Sequence, residues 1–335
     1  MLVVMALGRA ALLEPGQAPG IEVQRANLRA AVEAAAEIAR RHDVVITHGS
    51  GPQVGLLAYE SALFPGVADY PLDVIGAETE GLIGYLLQQG LANDLRDRQV
   101  VTVLTQVVVD PADPAFQSPT KLVGPRLAPV DAERLTAEHG WVVARDGSAY
   151  RRVVPSPEPL AVVEHKAVEL LVRSGAVVIC AGGGGIPVVV DPDGAIRGVN
   201  AVIDKDLSAA LVATLLGADV LLLLTDVPAV SSDWGTAFAR PIHQAAPTHL
   251  RALPFAAESM GPKVAAACRF VERTGKRAAI GAITEAAAIL QGDTGTQVIP
   301  GAPEMTWHPD APDLVFAAAA VPPTDNPPQP EGELP

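Results

Sequence analysis

The chain of 335 residues is long enough for one large α/β domain or two smaller ones, and its 49% hydrophobic content can supply a sizeable core. Its net charge of -14 argues against a general binder of nucleic acid or anionic membranes, because both would repel it; an anionic substrate therefore needs local positive charge. The two cysteines, Cys180 and Cys268, have no metal-ligand spacing, so we expect a reducing, cytoplasmic location without disulfides.

No targeting or membrane-spanning segment is expected. The apolar stretch of residues 1–7 is too short for a signal peptide and leads directly into Gly8. Residues 208–225 are interrupted by Gly217 and Asp219, which divide them into an amphipathic helix and a buried strand.

The first third of the chain alternates strand-like and helical patterns. Strands are predicted over residues 2–7, 43–47 and 100–109, and helices over 23–41, 54–61 and 78–91. The strands are continuous apolar runs rather than alternating ones, and helices join them. This pattern predicts an α/β fold with a mostly parallel sheet covered on both faces.

The pattern is looser between residues 111 and 159, where prolines are frequent and no long helix of the earlier kind is predicted. We interpret this region as a small inserted subdomain. The later predicted elements are a helix over 162–174, strands over 176–181, 220–224 and 277–283, an extended segment over 186–190, and helices over 207–216 and 263–274. No internal repeat is found. The Pro- and Ala-rich residues 301–335 form a tail whose end is predicted to be disordered.

The charged cluster Asp204-Lys205-Asp206 lies between a short apolar run and a predicted helix. A turn there would hold an ammonium between two carboxylates at a helix start, where unpaired N–H groups favour phosphate. An ordinary capped helix remains an alternative, because Asp is a common N-cap residue and a neighbouring Lys is often only solvated.

Two nucleotide-binding motifs are disfavoured. The loop Gly182-Gly183-Gly184-Gly185 leads into an extended segment, whereas a dinucleotide-binding turn leads into a helix. The residues around Lys263 lack the first glycine and the final Ser or Thr of a P-loop.

Other catalytic patterns are also weak. His48 beside a glycine turn is more often structural than catalytic, and no His/Cys cluster has zinc spacing. The sequence around Ser50 is not a nucleophile elbow. Asp204 and Asp206 are expected to act on Lys205 or a metal rather than as a glycosidase pair, which needs a wide separation.

Several long stretches, in the right order, resemble the carbamate kinases, which are members of the amino-acid-kinase superfamily. They are His48-Gly49-Ser50-Gly51-Pro52-Gln53-Val54-Gly55, Tyr70-Pro71-Leu72-Asp73-Val74, Pro119-Thr120-Lys121, Arg151-Arg152-Val153-Val154-Pro155-Ser156-Pro157, and residues 182–187, 201–206 and 259–264. The resemblance covers the chain from Met1 to about Ile299 and leaves out the tail.

The resemblance implies an open three-layer αβα sandwich over residues 1–300, with a subdomain protruding at about 113–159, that acts as a homodimer. It also implies reversible phosphoryl transfer between MgATP and carbamate, as part of arginine catabolism. No protein metal ligands are implied, since Mg²⁺ would be held mainly by the phosphates of ATP or ADP.

The resemblance further implies roles for individual residues. Lys205 and Lys263 would flank the migrating phosphoryl group, Asp206 would orient them, and Lys121 would reach in from the subdomain. The substrate end would be held by the turns that contain Gly8, Arg9, Gly49, Ser50 and Gly51. The nucleotide would lie near Gly182, Gly183, Gly184, Gly185, Thr225, Asp226 and Met260.

The chemistry of the residues agrees with this assignment. Carbamate attacks through an oxygen that is already ionised at neutral pH, so the absence of a convincing general base is not a defect. The protein has to neutralise charge and align the reactants, which lysines and backbone donors can do.

Four positions on three loops depart from the family pattern. Gly8-Arg9-Ala10 stands in place of Gly-Gly-Asn, Ser50 in place of Asn, and Glu258 in place of Gly. These changes are compatible with tolerated drift in which Arg9 and Ser50 supply substitute donors. A kinase of another small carboxylate or phosphate acceptor, and a catalytically weak nucleotide-binding paralogue, remain alternatives.

Overall fold

The computed structural model describes residues 1–8, 12, 17, 20–50, 52–64, 69–256 and 259–309. Its strands are β1 (Leu2–Leu7), β2 (Asp43–His48), β3 (Val100–Thr102), β4 (Gln106–Val109), β5 (Lys121–Leu127), β6 (Val143–Asp146), β7 (Ala149–Val154), β8 (Pro159–Val162), β9 (Val177–Ile179), β10 (Ile186–Val190), β11 (Ile196–Gly198), β12 (Val220–Thr225), β13 (Ser231–Ser232), β14 (Arg240–Ala245), β15 (Arg277–Ala282), β16 (Thr296–Val298) and β17 (Thr306–Trp307). Its helices are α1 (Ile21–Ala39), α2 (Gln53–Leu63), α3 (Leu72–Asp94), α4 (Pro129–His139), α5 (His165–Arg173), α6 (Lys205–Leu215), α7 (Pro247–Arg251), α8 (Met260–Thr274) and α9 (Ala286–Gln291).

The main sheet has the strand order β13-β14-β16-β15-β12-β1-β2-β9-β3, and β17 pairs with β14. From β15 to β3 all neighbouring strands are parallel, whereas β15 and β16 pair antiparallel. Parallel strands need crossover connections, and the helices between them provide these. The predicted α/β class with a mostly parallel sheet is confirmed.

Helices cover both faces of this sheet, and successive residues of β1 show how. Val4 and Ala6 belong to an apolar cluster that includes residues of α6 and α8. Val3, Met5 and Leu7 belong to a second cluster with residues of α1, α3 and α9. Because side chains alternate along a strand, the two clusters lie on opposite faces, which gives a three-layer αβα sandwich.

The predicted strand over 100–109 is wrong in one respect, because the chain divides it between two sheets. Residues 100–102 pair with β9 in the main sheet, and residues 106–109 pair with β10 and β8 in a separate four-stranded sheet of order β11-β10-β4-β8. Between them, the N–H of Thr105 donates to the Glu80 carboxylate instead of a neighbouring strand. A buried polar side chain thus ends the pairing, although the apolar run continues in sequence.

Two helix predictions also need correction. Residues 159–162 pair with β4 as a strand, so the helix predicted over 162–174 begins only at His165. The region 111–159 contains the 11-residue helix α4, which has Pro129 in its first turn and ends at the left-handed Gly140. Its Leu135 is fully buried against a small apolar cluster beside the three-stranded sheet β5-β7-β6. The limits of an inserted subdomain, about 113–159, stay a prediction.

The carboxyl ends of the central strands meet at one edge of the main sheet. Gly8, directly after β1, donates its N–H to Leu224 of β12, and Gly49, directly after β2, donates to Leu7 of β1. Open parallel α/β sheets bind ligands at this edge, so the turns after β1, β2, β9 and β12 form a candidate site.

Within these described ranges, none of the helices combines the length and the apolar character needed to cross a membrane.

Candidate active site

Helix α6 begins in the charged cluster. Asp204 is its N-cap residue, and Asp204 Oδ1 accepts hydrogen bonds from the N–H groups of Asp206 (2.9 Å) and Leu207 (3.2 Å). The capped-helix interpretation is therefore correct for Asp204. The cap fixes the first turn of α6, which carries Lys205 and Asp206.

Asp206 joins two lysines from different helices. Its Oδ1 lies 2.5 Å from Lys205 Nζ, and its Oδ2 lies 2.9 Å from Lys263 Nζ in the first turn of α8. The sequence suggested an ammonium between two carboxylates, but the structure has a carboxylate between two ammonium groups. The reason is that Asp204 directs one oxygen to its helix cap and the other to a lysine of another element.

Lys121, at the start of β5, is the partner of that other oxygen. Its Nζ lies 3.5 Å from Asp204 Oδ2 and donates to the carbonyl of Ile203 at 3.3 Å. Three ammonium groups from β5, α6 and α8 therefore converge on two carboxylates that are only two positions apart in the chain.

Burial and mutual charge set the pKa values of this cluster. Burial lowers the pKa of Lys205 to about 8, although Asp206 favours its charged form. Burial alone would raise the pKa of Asp206, but the two ammonium groups outweigh it and lower the pKa to about 2. Burial also opposes charge on Lys263, yet Asp206 outweighs that effect and raises its pKa. All three groups are charged at pH 7.

The tetraglycine turn, residues 182–185, packs against the start of α6. Ser208 donates its hydroxyl to the carbonyl of Gly184 at 2.7 Å, and a Cβ on Gly184 would lie 2.4 Å from the carbonyl oxygen of Ile203. The backbone of Gly184 has φ +102°, which L side chains rarely adopt. A Cβ on Gly183 would lie 3.2 Å from Ser50 Cβ. Bare backbone is thus required where the turn meets α6 and the loop after β2.

The other predicted site residues have different degrees of contact with this edge. Gly8 lies against β12, since a Cβ there would be 2.8 Å from the Leu224 carbonyl and 3.4 Å from Thr225 Cα. The Thr225 hydroxyl donates to Asp226 Oδ1 at 3.0 Å. Met260, the first residue of α8, packs on the apolar core.

Arg9, Ala10, Gly51 and Glu258 lie outside the described residues.

The structure adds Glu80, which the sequence analysis missed. Glu80 lies on the buried side of α3, with 1% of its surface exposed, and its carboxylate accepts from the N–H groups of Gly182 (2.8 Å) and Thr105 (3.1 Å). A signal was present, because Glu80 shares a helical face with Ile83 and Leu87. An acidic residue on an apolar helix face needs a polar partner.

His48 is buried against Gly182 of the tetraglycine turn, which fits the expectation that it is a structural rather than a catalytic residue. Its Nδ1 lies 2.9 Å from the carbonyl oxygen of Gly49. Burial lowers the pKa of His48 to about 4, so the ring is neutral at pH 7.

In the parts of the chain that the structure describes, no group of three His, Cys, Asp or Glu side chains could hold a metal ion.

Comparisons with known proteins identify the family of the chain. Residues 1–282 match the family model of the amino acid kinase family. The chain is 48% identical over 315 residues to the carbamate kinase of Rhizobium meliloti, which covers 93% of this chain and 97% of that protein. It is 47% identical over 311 residues to the carbamate kinase of Pyrococcus furiosus, with 89% and 99% covered.

Solved structures extend the likeness to the fold. The carbamate kinase from Giardia lamblia bound to AMP-PNP superposes with a TM-score of 0.83 at 37% identity, covering 89% of this chain and 98% of that one. At 15% identity, N-acetylglutamate synthase from Neisseria gonorrhoeae has a TM-score of 0.55 and shares the fold alone. The chain therefore belongs to the amino acid kinase family and, within it, to the carbamate kinases.

Proposed function

We propose that the cluster of Lys205, Asp206 and Lys263 carries the reversible transfer of a phosphoryl group between ATP and carbamate. The chain is a phosphotransferase of the carbamate kinase family. The observation that supports this role for the cluster is the contact of one buried carboxylate with two ammonium groups from separate helices.

The proposed mechanism is electrostatic. Lys205 and Lys263 face the phosphoryl group from α6 and α8 and offset the negative charge that builds up during transfer, while Asp206 fixes their directions. One well-placed donor or cation contributes about 3 kcal/mol to lowering such a barrier. Lys121 adds a third positive charge from β5. Since the attacking oxygen of carbamate is already ionised, no side chain has to remove a proton.

We propose that the nucleotide lies along the tetraglycine turn, near Thr225, Asp226 and Met260. The N–H groups of Gly182, Gly184 and Gly185 are bonded within the protein, but the bare backbone of the turn, partly exposed at Gly183, suits the close approach of phosphates. The Giardia lamblia relative binds AMP-PNP, an ATP analogue, which supports a nucleotide site in this chain.

Mg²⁺ is proposed to accompany the nucleotide and to be held mainly by its phosphate oxygens. The residues present fit this arrangement, because Asp206 has both carboxylate oxygens on lysines and Asp204 divides its oxygens between the helix cap and Lys121. When bound, Mg²⁺ would supply positive charge that offsets the negative charge of the phosphates. At the acceptor end, Gly8, Gly49 and Ser50 are proposed to contact carbamate, together with Arg9 and Gly51.

A coupled assay of ATP formation from ADP and carbamoyl phosphate tests this function. We expect ATP formation by the wild type, its loss in Lys205→Ala, and wild-type rates in Lys166→Ala, which removes an exposed lysine of α5. Circular dichroism of each variant checks the fold. Near-normal turnover by a folded Lys205→Ala enzyme would refute the proposed role of the cluster.

The acceptor is tested in the same assay by replacing carbamoyl phosphate with acetyl phosphate. Faster ATP formation from acetyl phosphate would favour a kinase of another small carboxylate. A sample inactive with both but able to bind MgADP in calorimetry would instead be the nucleotide-binding paralogue.

We also propose a homodimer and a cytoplasmic location with a role in arginine catabolism. Val74, Leu82 and Tyr85 are exposed on one face of α3, beside the exposed Leu104, and such an apolar patch is typical of a subunit interface. Cys180 and Cys268 are both free and buried, which fits a reducing compartment.

A further inference from the structure

Glu80 is a buried carboxyl group, and no positively charged partner is found for it in the part of the chain that the structure describes. The charged group that acts on it is Glu164, which has the same sign. Its polar contacts are the N–H groups of Gly182 and Thr105, and Thr105 in turn accepts the N–H of Ala181 with its hydroxyl at 3.0 Å. The N–H groups of Ala181 and Gly182, where the chain enters the tetraglycine turn, are thus bound by Thr105 and Glu80 respectively. A buried carboxylate without a countercharge is costly, so this environment favours the neutral acid.

His48 supplies the acceptor that a neutral acid needs. A Cβ on Gly182 would lie 2.3 Å from His48 Nε2 and 3.0 Å from Glu80 Cγ, so both side chains contact the same residue of the turn. Because Nδ1 bonds the carbonyl of Gly49, the neutral ring carries its proton there and Nε2 is an acceptor. Among the described residues, this buried Nε2 has no hydrogen-bond partner.

The titratable groups around Glu80 come from three elements. They are His48 at the end of β2, Cys180 directly after β9, and Glu164 directly before α5. Burial lowers the pKa of His48 and raises the pKa of the Cys180 thiol, so both are neutral at pH 7. Neither offers Glu80 a positive charge.

We propose that Glu80 is a positioning residue that works as a neutral carboxylic acid and holds the tetraglycine turn in its nucleotide-binding shape. Its oxygens accept the N–H groups of Gly182 and Thr105, and its hydroxyl donates to His48 Nε2 through one water. A protonated carboxyl group retains acceptor capacity, so the three hydrogen bonds are compatible. This inference rests on the proposed nucleotide role of the turn.

The state of Glu80 makes nucleotide binding depend on pH. Burial raises the pKa of Glu80 to about 8, against the opposing effect of its hydrogen bonds with Thr105 and Gly182. Above this pH, Glu80 carries a negative charge directly beneath a turn that faces phosphates. The affinity for MgADP is therefore expected to fall as the pH rises through 8.

Calorimetric titration with MgADP at pH 7 and pH 9 tests the proposal. At pH 7, Glu80→Ala is expected to weaken binding about tenfold, which corresponds to the loss of one or two hydrogen bonds, and Glu80→Gln to restore it, because an amide resembles the neutral acid. From pH 7 to pH 9, Glu80→Gln should lose less affinity than the wild type. Glu78→Gln makes the same substitution at an exposed position of α3 and should behave like the wild type. Lys205 also titrates in this pH range, but it is present in the wild type and in every variant, so its titration does not explain a difference between them.

Infrared spectroscopy reports on the acid itself. We expect a carbonyl stretching band of a protonated carboxyl group at pH 7 in the wild type, and its absence in Glu80→Gln. No such band at pH 7, or equal pH dependence of binding in the wild type and Glu80→Gln, would overturn the proposal. If the nucleotide role of the turn is itself wrong, Gly183→Ala will leave the MgADP affinity unchanged while the infrared band persists.

Discussion

Asp206 is the residue on which the proposed site depends most. Its side chain is 4% exposed and contacts both Lys205 and Lys263, so neither ammonium is buried without a countercharge. Removing one member of such a buried group leaves the remaining charges uncompensated, which costs more than the intact interaction contributes.

Asp206→Asn should therefore destabilise the protein as well as inactivate it. We expect the free energy of unfolding in urea to fall by about 3 kcal/mol, because two neighbouring ammonium groups lose their shared carboxylate. Asp191→Asn removes a carboxylate from the exposed pair with Arg197 and should change stability little. Equal stability of the two variants would contradict this account of the cluster.

The burial of His48 leads to a second prediction, which concerns the stability of the protein in acid. The pKa of His48 falls from about 6.5 in the unfolded chain to about 4 in the folded protein because it is buried. The contribution of neutral, buried His48 to the free energy of unfolding is fully present above pH 6.5 and is lost as the pH falls through 4. The reason is that, on acidification, His48 is protonated in the unfolded chain before it is protonated in the folded protein. The stability advantage of the wild type over His48→Gln should shrink by up to about 3 kcal/mol across this window. Urea unfolding of both proteins at pH 7 and pH 4.5 measures it, and parallel changes would disprove it.

At this scale, the sequence identified the residues better than their partners. Lys121, Lys205, Lys263 and Asp206 were predicted as site residues through the family resemblance, and the structure brings them close together. The pairing of Asp204 with Lys121 was not predictable, because β5 and α6 are distant in the chain. Glu80 was missed because local pattern alone does not reveal which turn a buried carboxyl group holds.

At the scale of elements, helix α2 and strand β5 cross with no space for a side chain. A Cβ on Gly55 would lie 2.0 Å from both Cα and N of Gly124. Val54 and Val123, next to these glycines, are buried in the same apolar cluster. Strand β5 also carries Lys121, so this crossing sets how far that lysine reaches towards Asp204.

Gly55→Ala should move β5 and with it Lys121. Since an error of about 1 Å in a catalytic group can lower the rate on the order of 100-fold, we expect kcat/KM to fall at least tenfold in the coupled assay. Gly76→Ala is the matched control, because Gly76 also lies in a helix and nothing is within 4 Å of its would-be Cβ. That variant should retain activity and be slightly more stable. An unchanged rate in Gly55→Ala would show that the crossing does not position Lys121.

The elements themselves were mostly predictable, and the division of one predicted strand has a clear physical cause. The long helices packed on the main sheet and the central strands have clear apolar periodicity, so their presence was correctly predicted, whereas α4, α7 and α9 were not predicted. The division of residues 100–109 between two sheets depends on pairing with β9 and β10, which lie about 80 residues away in the chain. Local propensity contains no information about such partners.

For the whole molecule, the main prediction concerns assembly. If the exposed face of α3 is the dimer interface, Tyr85→Asp should shift the protein from dimer to monomer in sedimentation velocity, because a charge would be buried against apolar side chains. Val130→Asp changes an exposed apolar residue of α4 and should leave the dimer intact. A wild type that sediments as a monomer would contradict the proposed homodimer, and a dimeric Tyr85→Asp would exclude this face.

In the proposed site, the position of Asp206 between two lysines also has a consequence for the release of the nucleotide product. With the Asp206 carboxylate in place, Lys205, Lys263 and Asp206 together carry one net positive charge rather than two. In the proposed site, one net positive charge would attract the product less strongly than two, which favours its release. Two lysines without Asp206 would bind the product more tightly and release it more slowly. The acidic residue would therefore favour product release as well as alignment of the lysines.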